Sequence, residues 1–282
     1  MRRNKLRSFP GKRGALAFVL ILSLSRAAAG GPPAEAQKAD GSFSRAFQLT
    51  PTVLGRTLVS PAHWKGSDFL KLSAVIGAGL VLSLADESIR DRVMGHRTKG
   101  TKDFFDFVTR FGEGPYLGGF VAGLFIVGQF SGNDGLGKTA WLGVESYLAA
   151  SVFSTALKLA IGRDRPGADK GNRSFHPFST RSSQTSMPSG HATAVWSVAT
   201  VIADRAENGF VDAACYGVAV LASLSRIYVD KHWASDILIG SAIGYFTAKK
   251  ICALNRDPGG PKLSASFGPA GRGQAITLSL TF

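Results

Sequence analysis

Residues Ser225–Asp236 read SRIYVDKHWASD, and the spacing within them organises the rest of the chain. Arg226 is followed six residues later by His232, and Asp236 lies four beyond that. If His232 opens a helix, Asp236 falls one turn further along the same face, because residues four apart are neighbours there. A carboxylate beside an imidazole fixes its tautomer and leaves the other ring nitrogen free to attack or to take a proton. Arg226 would hold the anion that the imidazole attacks. The stretch therefore implies one helix ending and another beginning, with a nucleophile, its orienting acid and a cation at the junction.

Two earlier stretches complete the set. Pro188-Ser189-Gly190-His191 precedes an apolar run starting at Ala192, so it reads as a loop feeding a helix N-terminus. Free backbone N–H groups at such an end form an anion site. Upstream, Lys158 and Arg165 are seven residues apart, which returns to nearly the same helical face, and Pro166 ends the element. The three blocks together supply three cations, two histidines and one carboxylate.

In this order the blocks KLAIGRDRP, PSGH and SRIYVDKHWASD resemble the type 2 phosphatidic acid phosphatase superfamily, which includes bacterial acid phosphatases, lipid phosphate phosphatases and vanadium haloperoxidases. The family pattern is Lys-x6-Arg-Pro, Pro-Ser-Gly-His and Ser-Arg-x5-His-x3-Asp, and no motif residue is missing. The resemblance implies that His232 attacks phosphorus to form a phosphohistidine while Asp236 holds its other nitrogen. His191 would protonate the leaving oxygen and then activate water. Lys158, Arg165 and Arg226 would clamp the phosphoryl oxygens, with Ser189 and the Gly190 amide adding hydrogen bonds. Positioning and charge stabilisation of this kind are most of what phosphoryl transfer asks of a protein.

The formal charge of +14 is less informative than its size suggests. Half of it lies in Arg2, Arg3, Lys5, Arg7, Lys12, Arg13 and Arg26, within a head that contains no acid. No zinc-finger spacing or aromatic-rich RNA motif accompanies the remainder, which argues against nucleic acid as a partner. The head itself runs from a basic stretch through the apolar run Ala15–Leu24 to Arg26-Ala-Ala-Ala-Gly, the order of a secretory signal peptide over residues 1–29. Residues 30–67 mix Pro, Gly, Ser and Ala and read as a linker with little core.

From residue 68 to 256 the chain reads as an all-α domain. Six apolar segments suit helices, at about 69–86, 114–131, 138–162, 191–206, 211–226 and 233–252. The motif residues fall where consecutive helices turn, so the expected site lies at one end of a six-helix bundle. Residues 87–113 and the Ser/Thr-rich loop 167–187 would border it. Over 257–282, Leu263, Ala265 and Phe267 alternate with serines, and Ile276, Leu278 and Leu280 with Thr277, Ser279 and Thr281. This period of two predicts a small C-terminal β-hairpin.

Only Gly114–Asn133 gives about twenty uncharged residues in a row, the length a membrane span requires. A cleaved leader would also leave residue 30 outside the cytoplasm, and a spanning first helix would then turn the active-site end inward. These two points favour an exported, periplasmic protein, soluble or resting on a membrane surface, over an integral one.

Outside the motifs, His63, His96 and His176 read as ordinary polar side chains. Asp164 and Asp230 read as local ion-pair partners, and Glu145 as a solvent-facing or core-paired carboxylate. Cys215 and Cys252 read as small apolar residues in helices. No cluster has the spacing of catalytic metal ligands, so no metal and no other cofactor is expected. The function expected from these residues is a metal-independent phosphatase acting on a phosphate ester or diphosphate, with a lipid as the favoured substrate. A soluble phosphomonoester acid phosphatase is the alternative, followed by a vanadium-dependent haloperoxidase and a helical lipid-binding scaffold.

Overall fold

The computed structural model describes residues 43–256 and, beyond them, the backbone of two strands. The expected leader over residues 1–29 lies outside the described residues. Nine α-helices are described: α1 Phe43–Leu58, α2 Gly66–Ser83, α3 Asp86–Gly95, α4 Lys99–Val108, α5 Gly114–Ser131, α6 Asp134–Ile161, α7 Gly190–Ala206, α8 Gly209–Tyr228 and α9 Ala234–Arg256. The fold of these residues is all helical.

Local chemistry sets the helix ends. Asn133 and Asn208 cap α6 and α8 by accepting from backbone N–H groups at their starts, and Ser189 does the same for α7. Gly132 and Gly162 end α5 and α6 in the left-handed conformation, at φ 65° and 61°. At Gly162 a side chain would also run into the His176 backbone, so glycine is required there twice over.

Helix α7 is the central element, packed against α6, α8 and α9. Val195, Val198 and Val201 bury three sides of it, in separate clusters with α8, with α5 and α6, and with α1 and α9. Helix α9 comes especially close. A Cβ on Gly240 would lie 2.5 Å from the Ser189 carbonyl oxygen, so this glycine lets α9 rest directly on the start of α7.

All six expected helical segments are helices, but the bundle is not confined to them. Helix α1 falls within the expected linker, where Ala46 and Val53 belong to the main core and the Phe43 ring packs on Phe125 and Trp141. Pro51 inside α1 forfeits one backbone hydrogen bond. Tertiary burial of the Phe43, Ala46, Val53 and Thr57 face outweighs that loss, as it does for most helices in proteins. Residues 87–113, expected as a cover, form the rest of α3, all of α4 and a 3-10 turn over Thr109–Gly112.

Beyond Arg256, Lys262–Ala270 and Gly273–Thr281 run as antiparallel strand backbones. Their side chains lie outside the described residues, and a hairpin packed as part of the fold is not supported. A two-stranded ribbon has marginal stability alone, and period-two alternation cannot supply it with a partner surface.

The structure also corrects the counting of spans. Among the described residues, α2, α6, α8 and α9 are each long and apolar enough to cross a membrane. The pair formed by Lys99–Gly112 and Gly114–Ser131, bent by 59°, makes a fifth if taken together. Uncharged run length misled in α6 and α9 because it stopped at charges that the fold buries. Glu145 in α6 and Asp236 in α9 are fully enclosed, and a span tolerates a charge that faces the bundle interior. The outer surface is apolar instead: Leu70 and Val81 of α2 are each 71% exposed, and Phe130 of α5 is 91% exposed.

Candidate active site

Four helix ends meet at one end of the bundle: the C-termini of α6 and α8 and the N-termini of α7 and α9. Lys158 sits in the last turn of α6, and Arg226 in the last turn of α8. His191 is in the first turn of α7, while His232 lies just before α9 and Asp236 in its first turn. The sequence-expected residues are thus brought together, and the charges of Arg226, His232, Arg165 and Lys158 all act on the His191 ring.

Lys158 is fixed by its own loop. Its Nζ donates to the carbonyl oxygens of Thr185 at 2.8 Å and Pro188 at 2.5 Å. Arg226 donates from Nη1 to Thr109 Oγ1 at 2.6 Å. Among the described residues, the buried Nε atoms of Arg165 and Arg226 have no hydrogen-bond partner. Two buried, unsatisfied guanidinium donors are costly unless an anion completes them. Ser189 is fully buried as the cap of α7, and its N–H donates to the Asp236 carbonyl oxygen at 2.9 Å. Gly190 opens the helix beside Lys158, placing the α7 N-terminus in the cation group.

His232 is buried, and its orientation differs from the sequence expectation. Its Nδ1 lies 2.8 Å from the Ser186 carbonyl oxygen but 3.8 Å from Asp236 Oδ2. A carbonyl can only accept, so Nδ1 carries the proton and Nε2 presents a free lone pair. Asp236 acts at one remove. Its Oδ2 accepts from Ser186 Oγ at 2.5 Å and from the Trp233 N–H at 2.9 Å, and its Oδ1 accepts from Arg163 Nη1 at 2.7 Å.

Electrostatics keep both imidazoles neutral. Burial drives His191 down to about 3, with Arg226, His232, Arg165 and Lys158 adding repulsion. Burial likewise drives His232 down to about 4, against the opposing pull of Asp236 and with help from Lys158 and Arg226. A polar cavity of about 230 Å³ opens beside His191, lined by Lys158, Gly190, Ser154, Thr155 and Tyr147. Gly112 faces His191, where a Cβ would come within 3.1 Å of the His191 Cβ.

Sequence reading missed a supporting layer. Arg163, Asp86, Asn172 and Ser186 are all buried around Asp236. Arg163 lies inside the KLAIGRDRP block and Ser186 two residues before PSGH, but nothing in their spacing marks them. Of the residues set aside as bland, Asp230 does form an ion pair, but not a local one: it accepts from Nε and Nη2 of Arg90, 140 residues away. Asp164 accepts from Ser174 and His176, so that histidine anchors a loop. Glu145 is fully buried, with Asn255 Nδ2 at 3.4 Å from its Oε2. Cys215 and Cys252 are both free thiols.

The PAP2 superfamily model matches residues 139–257, which contain all three motifs. A lipid A 1-phosphatase of Rhizobium etli is 31% identical over 206 residues, covering 65% of this chain and 82% of that protein. A second, from Rhizobium johnstonii, is 31% identical over 65% of this chain and 78% of its own length. Among solved structures, a transmembrane PAP2 type phosphatidylglycerolphosphate phosphatase from Bacillus subtilis shares the fold. It has a TM-score of 0.50 at 20% identity and covers 65% of this chain and 94% of its own. With its ordered motifs gathered at one bundle end and these similarities behind them, the chain belongs to the PAP2 superfamily, as a phosphate ester hydrolase.

Proposed function

We propose that the protein hydrolyses a lipid phosphate at a membrane through a phosphohistidine on His232. The observation that carries this reading is the His232 hydrogen bond to the Ser186 carbonyl, which leaves Nε2 as a neutral nucleophile beside buried guanidinium donors. In the first step Nε2 bonds to phosphorus and the bond to the lipid oxygen breaks, with His191 giving that oxygen a proton. In the second, water attacks the phosphohistidine, His191 takes the water proton, and inorganic phosphate leaves. Lys158, Arg165, Arg226, Ser189 and the Gly190 amide hold the phosphoryl oxygens throughout.

His191 must carry a proton to act first as an acid, yet the free site holds it near 3. Burial is the larger cause, and an incoming phosphate dianion offsets the cations' share of the depression, so substrate binding shifts His191 toward its protonated form. This couples the acid to the presence of its substrate.

Two observations support a lipid. The relatives in Rhizobium etli and Rhizobium johnstonii are lipid A 1-phosphatases. In addition, an apolar groove of about 460 Å³ between α5 and α6 shares Gly114 and Tyr147 with the polar cavity. A phosphate in the polar cavity would leave its apolar tail at the groove. With α6 among four helices able to cross a bilayer, such a groove would lie at the depth of acyl chains.

The test is phosphate release by the purified protein from a panel of lipid and soluble phosphates, with His232→Ala alongside. Lipid phosphates are expected to be turned over, and His232→Ala to lose at least about 10³-fold in kcat. An acid-labile phosphoprotein should be trapped from labelled substrate in the native chain and be absent from the variant. A folded His232→Ala protein with near-native turnover would end the nucleophile assignment.

A further inference from the structure

We propose that Asp86 and Arg163 are positioning residues for this reaction, aligning His232 through Asp236 and Ser186. The inference rests on His232 as the attacking group.

Arg163 is 1% exposed, and all five of its N–H donors are occupied by protein. Nε and Nη2 donate to the Asn172 carbonyl oxygen at 2.9 and 2.7 Å, and Nη2 also to Asp86 Oδ2 at 2.8 Å. Nη1 donates to Ser235 Oγ at 2.8 Å and Asp236 Oδ1 at 2.7 Å. No donor is left for a phosphate. Arg165, two residues on, contrasts with it by keeping a buried Nε without a partner among the described residues. The two arginines of one short block therefore do different work: Arg165 faces the anion, and Arg163 faces the carboxylate that governs the nucleophile.

Asp86 opens α3, far from every motif. Its Oδ1 accepts from the Ser235 N–H at 2.9 Å, and its Oδ2 accepts from Ser235 Oγ at 2.5 Å. It thereby holds the first turn of α9, the turn that carries Asp236. It also shares Arg163 with Asp236, so the guanidinium sits between two carboxylates and is not drawn wholly to either. Ser186 Oγ in turn donates to Asp236 Oδ2, and the Ser186 carbonyl oxygen accepts a hydrogen bond from His232 Nδ1–H. A continuous buried chain runs Asp86, Arg163, Asp236, Ser186, His232. Its last link sets where Nε2 points, and misplacement of about 1 Å at a reacting atom costs on the order of 10²-fold in rate.

The experiment is a double-mutant cycle on kcat, with competitive inhibition by inorganic phosphate, the tetrahedral product, as the measure of the phosphate pocket. Asp86→Asn is expected to lower kcat roughly tenfold or more while leaving inhibition by inorganic phosphate within about twofold, because Lys158, Arg165 and Arg226 are untouched. In an Asp236→Asn background the same change should cost nothing further, since both act through one link. A purely structural role would weaken inorganic phosphate binding in parallel or add its loss in both backgrounds. Either result, or an unchanged kcat, overturns the proposal. Should Asp86→Asn fail to fold, Arg163→Lys takes its place in the same cycle, because an ammonium keeps the charge and loses the fork. His232→Ala is run beside them: activity retained there sinks the nucleophile reading itself, whereas an inactive His232→Ala with an unaffected Asp86→Asn sinks only this inference.

Discussion

At the residue scale, the two histidines tie stability to pH. In an unfolded chain each would titrate at about 6.5. In the folded site burial holds His232 at about 4 and His191 at about 3, with the surrounding cations reinforcing it. Between those values the unfolded chain takes up protons that the folded one refuses, so stability rises with pH across this window. It is complete above about pH 6.5 and lost progressively as pH falls toward 4 and then 3. The melting temperature in detergent should therefore drop between pH 6.5 and 4, and His191→Ala should flatten the drop. Vanadate should flatten it too, because a bound oxyanion favours protonated imidazole. A melting temperature level over that range in the native protein would refute the electrostatic description of the site.

The element scale decides whether these side chains meet. Helix α9 approaches the Pro188–His191 loop only because Gly240 has no side chain, and a Cβ there would meet Ser189 backbone atoms at 2.5 to 3.2 Å. Backbone cannot rotate aside as a side chain can, so Gly240→Ala must displace the phosphate loop. The expected cost is about 1–3 kcal/mol of stability from overpacking and on the order of 10²-fold in kcat/KM. Gly217 on α8 has open space around it and serves as the control; Gly217→Ala should leave activity unchanged and gain up to about 1 kcal/mol of helix propensity. Equal behaviour of the two variants would show that the close approach has no consequence. Helix α3 works at this same scale as a buttress. Glu87 accepts from the Asn172 N–H, and Arg90 joins Asp230 to Asp169, so one short helix fastens both loops that border the site.

At the scale of the whole molecule, the motif residues gather at one bundle end while the outer faces of α2 and α5 remain apolar. The groove between α5 and α6 connects these two environments through Gly114 and Tyr147. Gly118 lines the groove, and nothing lies within 4 Å of where its Cβ would be, so a large side chain there would fill the groove without a clash at its root. For a long-chain phosphate, Gly118→Phe should reduce kcat/KM about tenfold or more, since each buried CH₂ is worth about 0.8 kcal/mol. A short-chain ester of the same head group should change by no more than about twofold. Equal losses on both esters, or on neither, would show that the groove does not read the lipid.

The sequence by itself determined what is encoded within a turn or two of helix. The step from His232 to Asp236, the Ser189 cap and the six apolar segments are all local, and helical geometry converts such spacing directly into neighbouring positions. The expected helical face shared by Lys158 and Arg165 does not form, because α6 ends at Ile161 and Arg165 lies beyond it in extended backbone. Only the tertiary structure decided the rest. That His232 is held by the Ser186 carbonyl could not be read, because every residue has a carbonyl and its direction depends on the loop. Asp86 reaches Ser235 across 149 residues, and no periodicity spans that distance. Helix α1 was hidden by Pro51 because its stability comes from the surface it buries. The lengths of α6 and α9 as helices able to cross a membrane were hidden by their charges, since whether Glu145 and Asp236 face outward or into protein is a property of packing and not of composition.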